Sequence, residues 1–202
     1  MADVLALADA LGLAQFNLAG HDWGALVSWN LAESHPERLK RLAILNVPHP
    51  RVMNKFLKEN HQQRLKSWYA FFFQLPVLPE IVLGAANWDL LARSMRKSFS
   101  ETELNCYRAA WSQPGAMTAM LNWYRGLFQR PPELISRKKI QVPTLMIWGK
   151  LDPHLMWQMA PDSIGRCENG RLVYLEDATH WVHQDQPDQV NRLLSDHFAV
   201  AG

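Results

Sequence analysis

Apolar residues along this chain fall into runs with two different periods. Val4, Ala8 and Leu11 recur at helical spacing behind Asp3, a good N-cap, and before Gly12, a good C-terminal stop; this predicts a short helix from Asp3 to Leu11. Phe16 to Gly20 is a continuous apolar run and reads as a buried strand. A turn at Asp22 follows, then a helical pattern to about Ser34, which His35-Pro36-Glu37 ends because proline disfavours the helical state in the residue before it. Leu42 to Leu45 is a second buried strand, and Asn46-Val47-Pro48-His49-Pro50 breaks the pattern after it. From about Arg51 to Pro132 only helical patterns broken by prolines occur. Ser100 and Glu103 form a capping box ahead of Leu104, Tyr107 and Trp111, and Met117, Met120, Leu121, Tyr124 and Phe128 share a later stripe. Residues 143–149 and 171–175 resume the strand pattern, and Pro187 opens a last helix with Val190, Leu194 and Phe198 facing inward. Short apolar strands between helices imply a parallel, doubly wound α/β sheet with right-handed crossovers. The expected layout is a discontinuous core, residues 1–50 and 131–202, with a helical cap over residues 51–130.

Composition narrows the function classes. The chain has 202 residues, enough for one domain with a sizeable insertion, and 48% of them are apolar. Lys plus Arg number 21 against 19 for Asp plus Glu, a net charge of +2. Arg137-Lys138-Lys139 is too short a basic run to argue for nucleic acid and reads as a solvated loop. The two cysteines, Cys106 and Cys167, lie far apart in sequence and have no metal or redox spacing, as expected of reduced thiols in a cytoplasmic protein. The N-terminus has no signal-peptide pattern, and no apolar window is long enough to span a membrane. Nine tryptophans suit a large core and a pocket for a small apolar substrate.

The candidate chemistry begins at Gly20-His21-Asp22-Trp23-Gly24, between the first strand and its helix. Small residues two positions either side of a central nucleophile resemble the nucleophile elbow of the α/β-hydrolases, a sharp strand-to-helix turn expected to crowd both flanks. The centre here is Asp rather than Ser. A carboxylate attacks sp3 carbon, opening an epoxide or displacing a halide, and leaves an ester on the enzyme. The bland alternative is that Asp22 only caps the helix. Asp152, in Gly149-Lys150-Leu151-Asp152-Pro153, and His180, in Ala178-Thr179-His180-Trp181, also follow strands. In an open parallel sheet such positions border the ligand crevice, and the order nucleophile, acid, base is the one this fold uses. Asp22 would attack, His180 would take a proton from the hydrolytic water, Asp152 would orient the imidazole, and the Trp23 backbone N–H would meet the developing oxyanion. Asp152 as a turn residue and His183 as a rival base are the competing readings.

These blocks, with His35-Pro36-Glu37-Arg38, resemble the epoxide hydrolase branch of the α/β-hydrolase superfamily over nearly the whole chain. They are shared with haloalkane dehalogenases, so the cap must discriminate. The resemblance implies two cap tyrosines that protonate the epoxide oxygen. Met120-Leu121-Asn122-Trp123-Tyr124-Arg125 is similar to the block carrying one, at Tyr124, and the stretch from Trp68 to Pro76 to the block carrying the other, at Tyr69. A halide leaves without such an acid. The resemblance therefore implies a cofactor- and metal-independent hydrolase that takes an epoxide to a vicinal diol. A haloalkane or haloacid dehalogenase with the same three residues, or a catalytically silent fragment, is the alternative.

The family also carries strands before the elbow and a His-Gly loop that completes the oxyanion hole. Neither is found here, and only four strands can be assigned. The chain is accordingly expected to be an N-terminally incomplete hydrolase, poorly soluble or inactive, with the elbow strand apolar on both faces and at the edge of the sheet.

Overall fold

In the computed structural model, which describes residues 1–129 and 139–199, four parallel strands lie in the order β1 (Phe16–His21), β2 (Leu39–Leu45), β3 (Thr144–Gly149) and β4 (Gly170–Leu175). Each strand seen in the sequence is present, with β2 starting three residues earlier than its apolar run because Leu39 is itself buried. Alternation along β2 and β3 splits the core in two. Leu42, Ile44, Met146 and Trp148 face one cluster, together with Ala25, Trp29 and Ala32 of helix α2 (Trp23–Ser34). Ala43, Leu45, Leu145 and Ile147 face the other, where Val190, Leu193 and Leu194 of the last helix pack. Strands covered on both faces bury every side chain, which is why β3 reads as an uninterrupted apolar run.

The edge strand β1 differs from its expected character. Phe16 and Leu18 are half-buried against the first cluster, while Asn17 and Ala19 are exposed, so only one of its faces is covered. Helix α1 (Ala2–Ala10) starts one residue before Asp3, which sits in the first turn and does not act as the N-cap; Gly12 closes the end with φ +69°.

Contacts divide the described residues into two compact units, residues 1–64 with 139–199 and residues 65–129. Arg51, the expected start of the cap, falls inside the first unit. Helix α3 (Pro50–Glu59) is anchored there at its first turn: the His49 ring accepts from the Arg51 N–H, its Nε2 meets Glu33 of α2 at 3.2 Å, and its backbone N–H donates to Ser163 Oγ. Helix α4 (His61–Lys66) contributes Gln63, fully buried, which bonds the His154 carbonyl and the Met156 N–H. Pro131-Pro132, taken as the far boundary of the cap, and Arg137-Lys138 lie outside the described residues.

The second unit holds α5 (Trp68–Phe72), α6 (Leu78–Met95), α7 (Glu101–Trp111) and α8 (Ala116–Gln129). Helix α6 is interrupted at Ala85–Trp88, where the backbone leaves helical angles. The Ser100–Glu103 capping box starts α7 as expected. On α8, Met117 and Leu121 are buried but Met120 and Phe128, at the margins of the same stripe, remain largely exposed. The first unit is completed by α9 (Met159–Ile164), α10 (Val182–Asp185) and α11 (Pro187–Ala199); α9 and α10 are too short to show a period in the sequence. Among the described residues no helix is long and apolar enough to cross a membrane.

Candidate active site

The elbow is built by one close approach. A Cβ on Gly20 would collide with Ser28 Oγ and lie 2.7 Å from the Gly24 carbonyl and 2.8 Å from the Ala25 Cα, so only glycine lets β1 run this close to α2. Gly24 meets no such constraint, since among the described residues nothing stands within 4 Å of a Cβ there; the expectation of crowding on both flanks holds for the first glycine alone. Between them Asp22 adopts φ +51°, a strained angle for a non-glycine residue. Its carbonyl accepts the first bonds of α2, from Ala25 and Leu26, but its side chain does not cap the helix. The carboxylate turns instead toward His180, with Oδ1 3.7 Å from Nε2 and half of the side chain exposed.

On its other side His180 bonds Asp152 at 2.7 Å, Nδ1 to Oδ2. Both residues are only 5% exposed. Asp152 sits in the turn after β3 and accepts the backbone N–H groups of His154 (2.7 Å) and Leu155 (2.9 Å) on Oδ1. The loop carrying His180 is pinned by Thr179, whose N–H and hydroxyl both reach Asp185 Oδ2 at 2.6 Å. The three residues expected at strand ends are thus brought together, with His180 between the two carboxylates. His183, the rival base, lies on α10 with its ring 4.6 Å from His21 and, among the described residues, its buried Nδ1 has no hydrogen-bond partner.

Asn46, read from the sequence only as a break after β2, is the hub of this arrangement. It is fully buried, at φ +53°, and its Nδ2 donates to Asp152 Oδ2 (2.9 Å), the Thr179 carbonyl (3.2 Å) and, at 3.4 Å, the Gly149 carbonyl, while Oδ1 accepts the Gly149 N–H (2.8 Å). One amide so ties the carboxyl ends of β2 and β3 to the His180 loop. The signal available in the sequence was a lone polar residue ending an apolar strand that points toward the crevice.

Electrostatics follow from this packing. Burial opposes a charge on each group. The hydrogen bond to Asp152 and the charges of Asp152 and Asp22 overcome it and push His180 up to about 10. Burial likewise opposes ionisation of Asp152, but His180 and then the Asn46 amide and Leu155 N–H hold it below the usual carboxylate range. Asp22 is also lowered against burial, by His180 first, then by His21 and the Trp23 backbone N–H, the group expected at the oxyanion. Near neutral pH these shifts favour carboxylate, imidazolium and carboxylate. Among the described residues no cluster of His, Cys, Asp or Glu is arranged to hold a metal ion.

In the helical unit, described by itself, Tyr69 of α5 and Tyr124 of α8 lie edge to face with ring centroids 5.9 Å apart, and Phe73 packs edge-on against Tyr124 at 4.9 Å. Arg125 holds α8 to this corner, donating to both oxygens of Glu80 (2.8 and 3.0 Å) and to the carbonyls of Phe73 and Leu75.

The family model described as alpha/beta hydrolase fold matches residues 1–187. The AB hydrolase superfamily protein YfhM of Bacillus subtilis is 40% identical over 89% of this chain and 64% of its own length. Epoxide hydrolase 4 of Homo sapiens is 34% identical over 95% of this chain and 56% of its own length. The crystal structure of a mutant epoxide hydrolase from Bacillus megaterium superposes with a TM-score of 0.85 at 25% identity, covering 96% of this chain and 73% of that one. The chain thus spans between half and two thirds of the length of these curated relatives.

Proposed function

Because the chain belongs to the α/β-hydrolase fold family, in its epoxide hydrolase-like branch, we propose that it takes part in hydrolysis of an epoxide to a vicinal diol through an ester on Asp22. The observation that carries this reading is the line Asp22–His180–Asp152, with separations of 3.7 and 2.7 Å. An aspartate at the elbow suits attack on sp3 carbon. In the first step Asp22 forms a bond to an epoxide carbon, the carbon–oxygen bond breaks, and the oxygen takes a proton, the part that the resemblance to epoxide hydrolases gives to Tyr69 and Tyr124. In the second step a hydroxide, made as His180 takes a proton from water, attacks the Asp22 ester carbonyl; the diol leaves and the carboxylate is regenerated.

The raised affinity of His180 for its proton gives these steps an order. While Asp22 is charged, two carboxylates stabilise the imidazolium, and His180 is no base. Esterification neutralises Asp22 and removes one of them, so His180 releases its proton, balancing the one the tyrosine gave up, and becomes a base when a base is needed. A halide departs without a proton, so the paired tyrosines favour an epoxide over a chloroalkane.

The test is His180→Gln. The variant should still be alkylated but not hydrolysed, so mass spectrometry after incubation with a panel of epoxides should find one substrate mass on the peptide containing Asp22. Diol production at the wild-type rate by the variant, or halide release from chloroalkanes without diol from any epoxide in the wild-type chain, would overturn the reading.

A further inference from the structure

The residue before Asp22 had no part in the chemistry read from the sequence, yet its ring is bonded to the main chain of the proposed base. His21 ends β1, and its Nε2 lies 2.9 Å from the His180 carbonyl. A carbonyl only accepts, so the proton is on Nε2 and that N–H donates. The His21 ring is 4.7 Å from the His180 ring and 5.3 Å from the Trp181 ring, tilted against both. Burial first, then the charge of His180, bring its own basicity down to about 4, so at neutral pH it sets no second cation beside the imidazolium.

The bond joins parts of the fold that the sheet leaves apart. The elbow follows β1 and the His180 loop follows β4, at opposite edges of the strand order. No ladder hydrogen bond can set the distance between them. Asp152 holds the Nδ1 end of the base, which leaves the imidazole free to swing about that contact; what fixes the approach of Nε2 to Asp22 is where the His180 backbone lies relative to the elbow. At 3.7 Å the approach is already long, and a displacement near 1 Å is enough to lower a rate by roughly 100-fold.

We propose that His21 is a positioning residue: by clamping the His180 main chain to the elbow, it sets the approach of the His180 imidazole to Asp22 and to the ester formed there. The inference rests on the reaction proposed above, and its test has one arm that does not. His21→Phe keeps a ring and removes the donor. His21→Gln keeps an N–H at comparable reach, and His21→Asn is one methylene short. In the protein without substrate, the NMR resonance of the His180 Nε2 proton, which faces Asp22, should shift upfield or vanish by exchange in the Phe and Asn variants and persist in Gln. With an epoxide, ester hydrolysis in the Phe variant should fall by roughly 100-fold while alkylation of Asp22 changes far less, so the adduct accumulates; Gln should restore turnover. If the Phe variant does not fold, the Gln and Asn pair decides. A wild-type proton signal and wild-type hydrolysis in Phe or Asn, or a folded Gln variant as impaired as these, overturns the proposal. If no epoxide alkylates either the wild-type chain or His180→Gln, the reaction reading fails, and the NMR comparison alone judges His21.

Discussion

Asn46 shows how much of an active site one amide can organise. Its side chain meets Asp152, Thr179 and Gly149 in a fully buried position, and it accepts a positive φ that asparagine tolerates better than most residues. Removing the amide strands the Gly149 N–H and takes one donor from a buried carboxylate, each an unsatisfied polar group rather than a simple lost contact. Asn46→Gly keeps the backbone angle accessible and isolates that effect. It should lower the stability of the chain by about 1–3 kcal/mol in urea denaturation. Stability unchanged within error would mean that Asp152 is held without Asn46.

At the scale of elements, the elbow depends on the distance between β1 and α2, and the two glycines that frame it are not equivalent. Gly20→Ala drives a Cβ into the Gly24 carbonyl and the Ala25 Cα. These are backbone atoms that cannot rotate away, so the helix must move; a loss of about 1–3 kcal/mol is expected, typical of overpacking. Gly24→Ala enters open space at the start of a helix and should be neutral or stabilising by up to about 1 kcal/mol. Thermal or urea unfolding of the two variants side by side checks the asymmetry, which equal losses would refute. The pattern Gly-x-Asp-x-Gly looks symmetric as a string because sequence spacing carries no information about which flank faces the helix.

For the molecule as a whole, the buried charges set a pH profile of stability. His180 is raised to about 10 from 6.5, so its contribution is complete below pH 6.5 and is lost as the pH rises through about 10. His21 works in the other direction: lowered to about 4, it is neutral in the fold while the unfolded chain is protonated, so stability falls as the pH drops from 6.5 toward 4. Asp22 and Asp152, both lowered, add a further loss on acidification below the ordinary carboxylate range. Melting temperature should therefore peak near pH 6.5. His180→Gln should flatten the alkaline limb relative to the wild-type chain, and an equally steep fall in the variant would assign that limb to other groups.

The strands, the helices flanking them, and the candidate residues Asp22, Asp152 and His180 were legible in the sequence, because burial on both faces writes an apolar run and a ligand crevice collects the polar residues at strand ends. Tyr69 and Tyr124 could be named only by resemblance; on periodicity alone Tyr124 is one more aromatic on a helical stripe. Other features required the folded chain. That α3 and the start of α4 belong with the sheet follows from His49 and Gln63 meeting partners about ninety or more residues away, at Ser163, His154 and Met156. That Asn46 joins three strand ends and that His21 bonds the His180 backbone both depend on distances across the sheet. Local pattern fixes what each segment is; which segments meet is decided by the packing that brings their ends together.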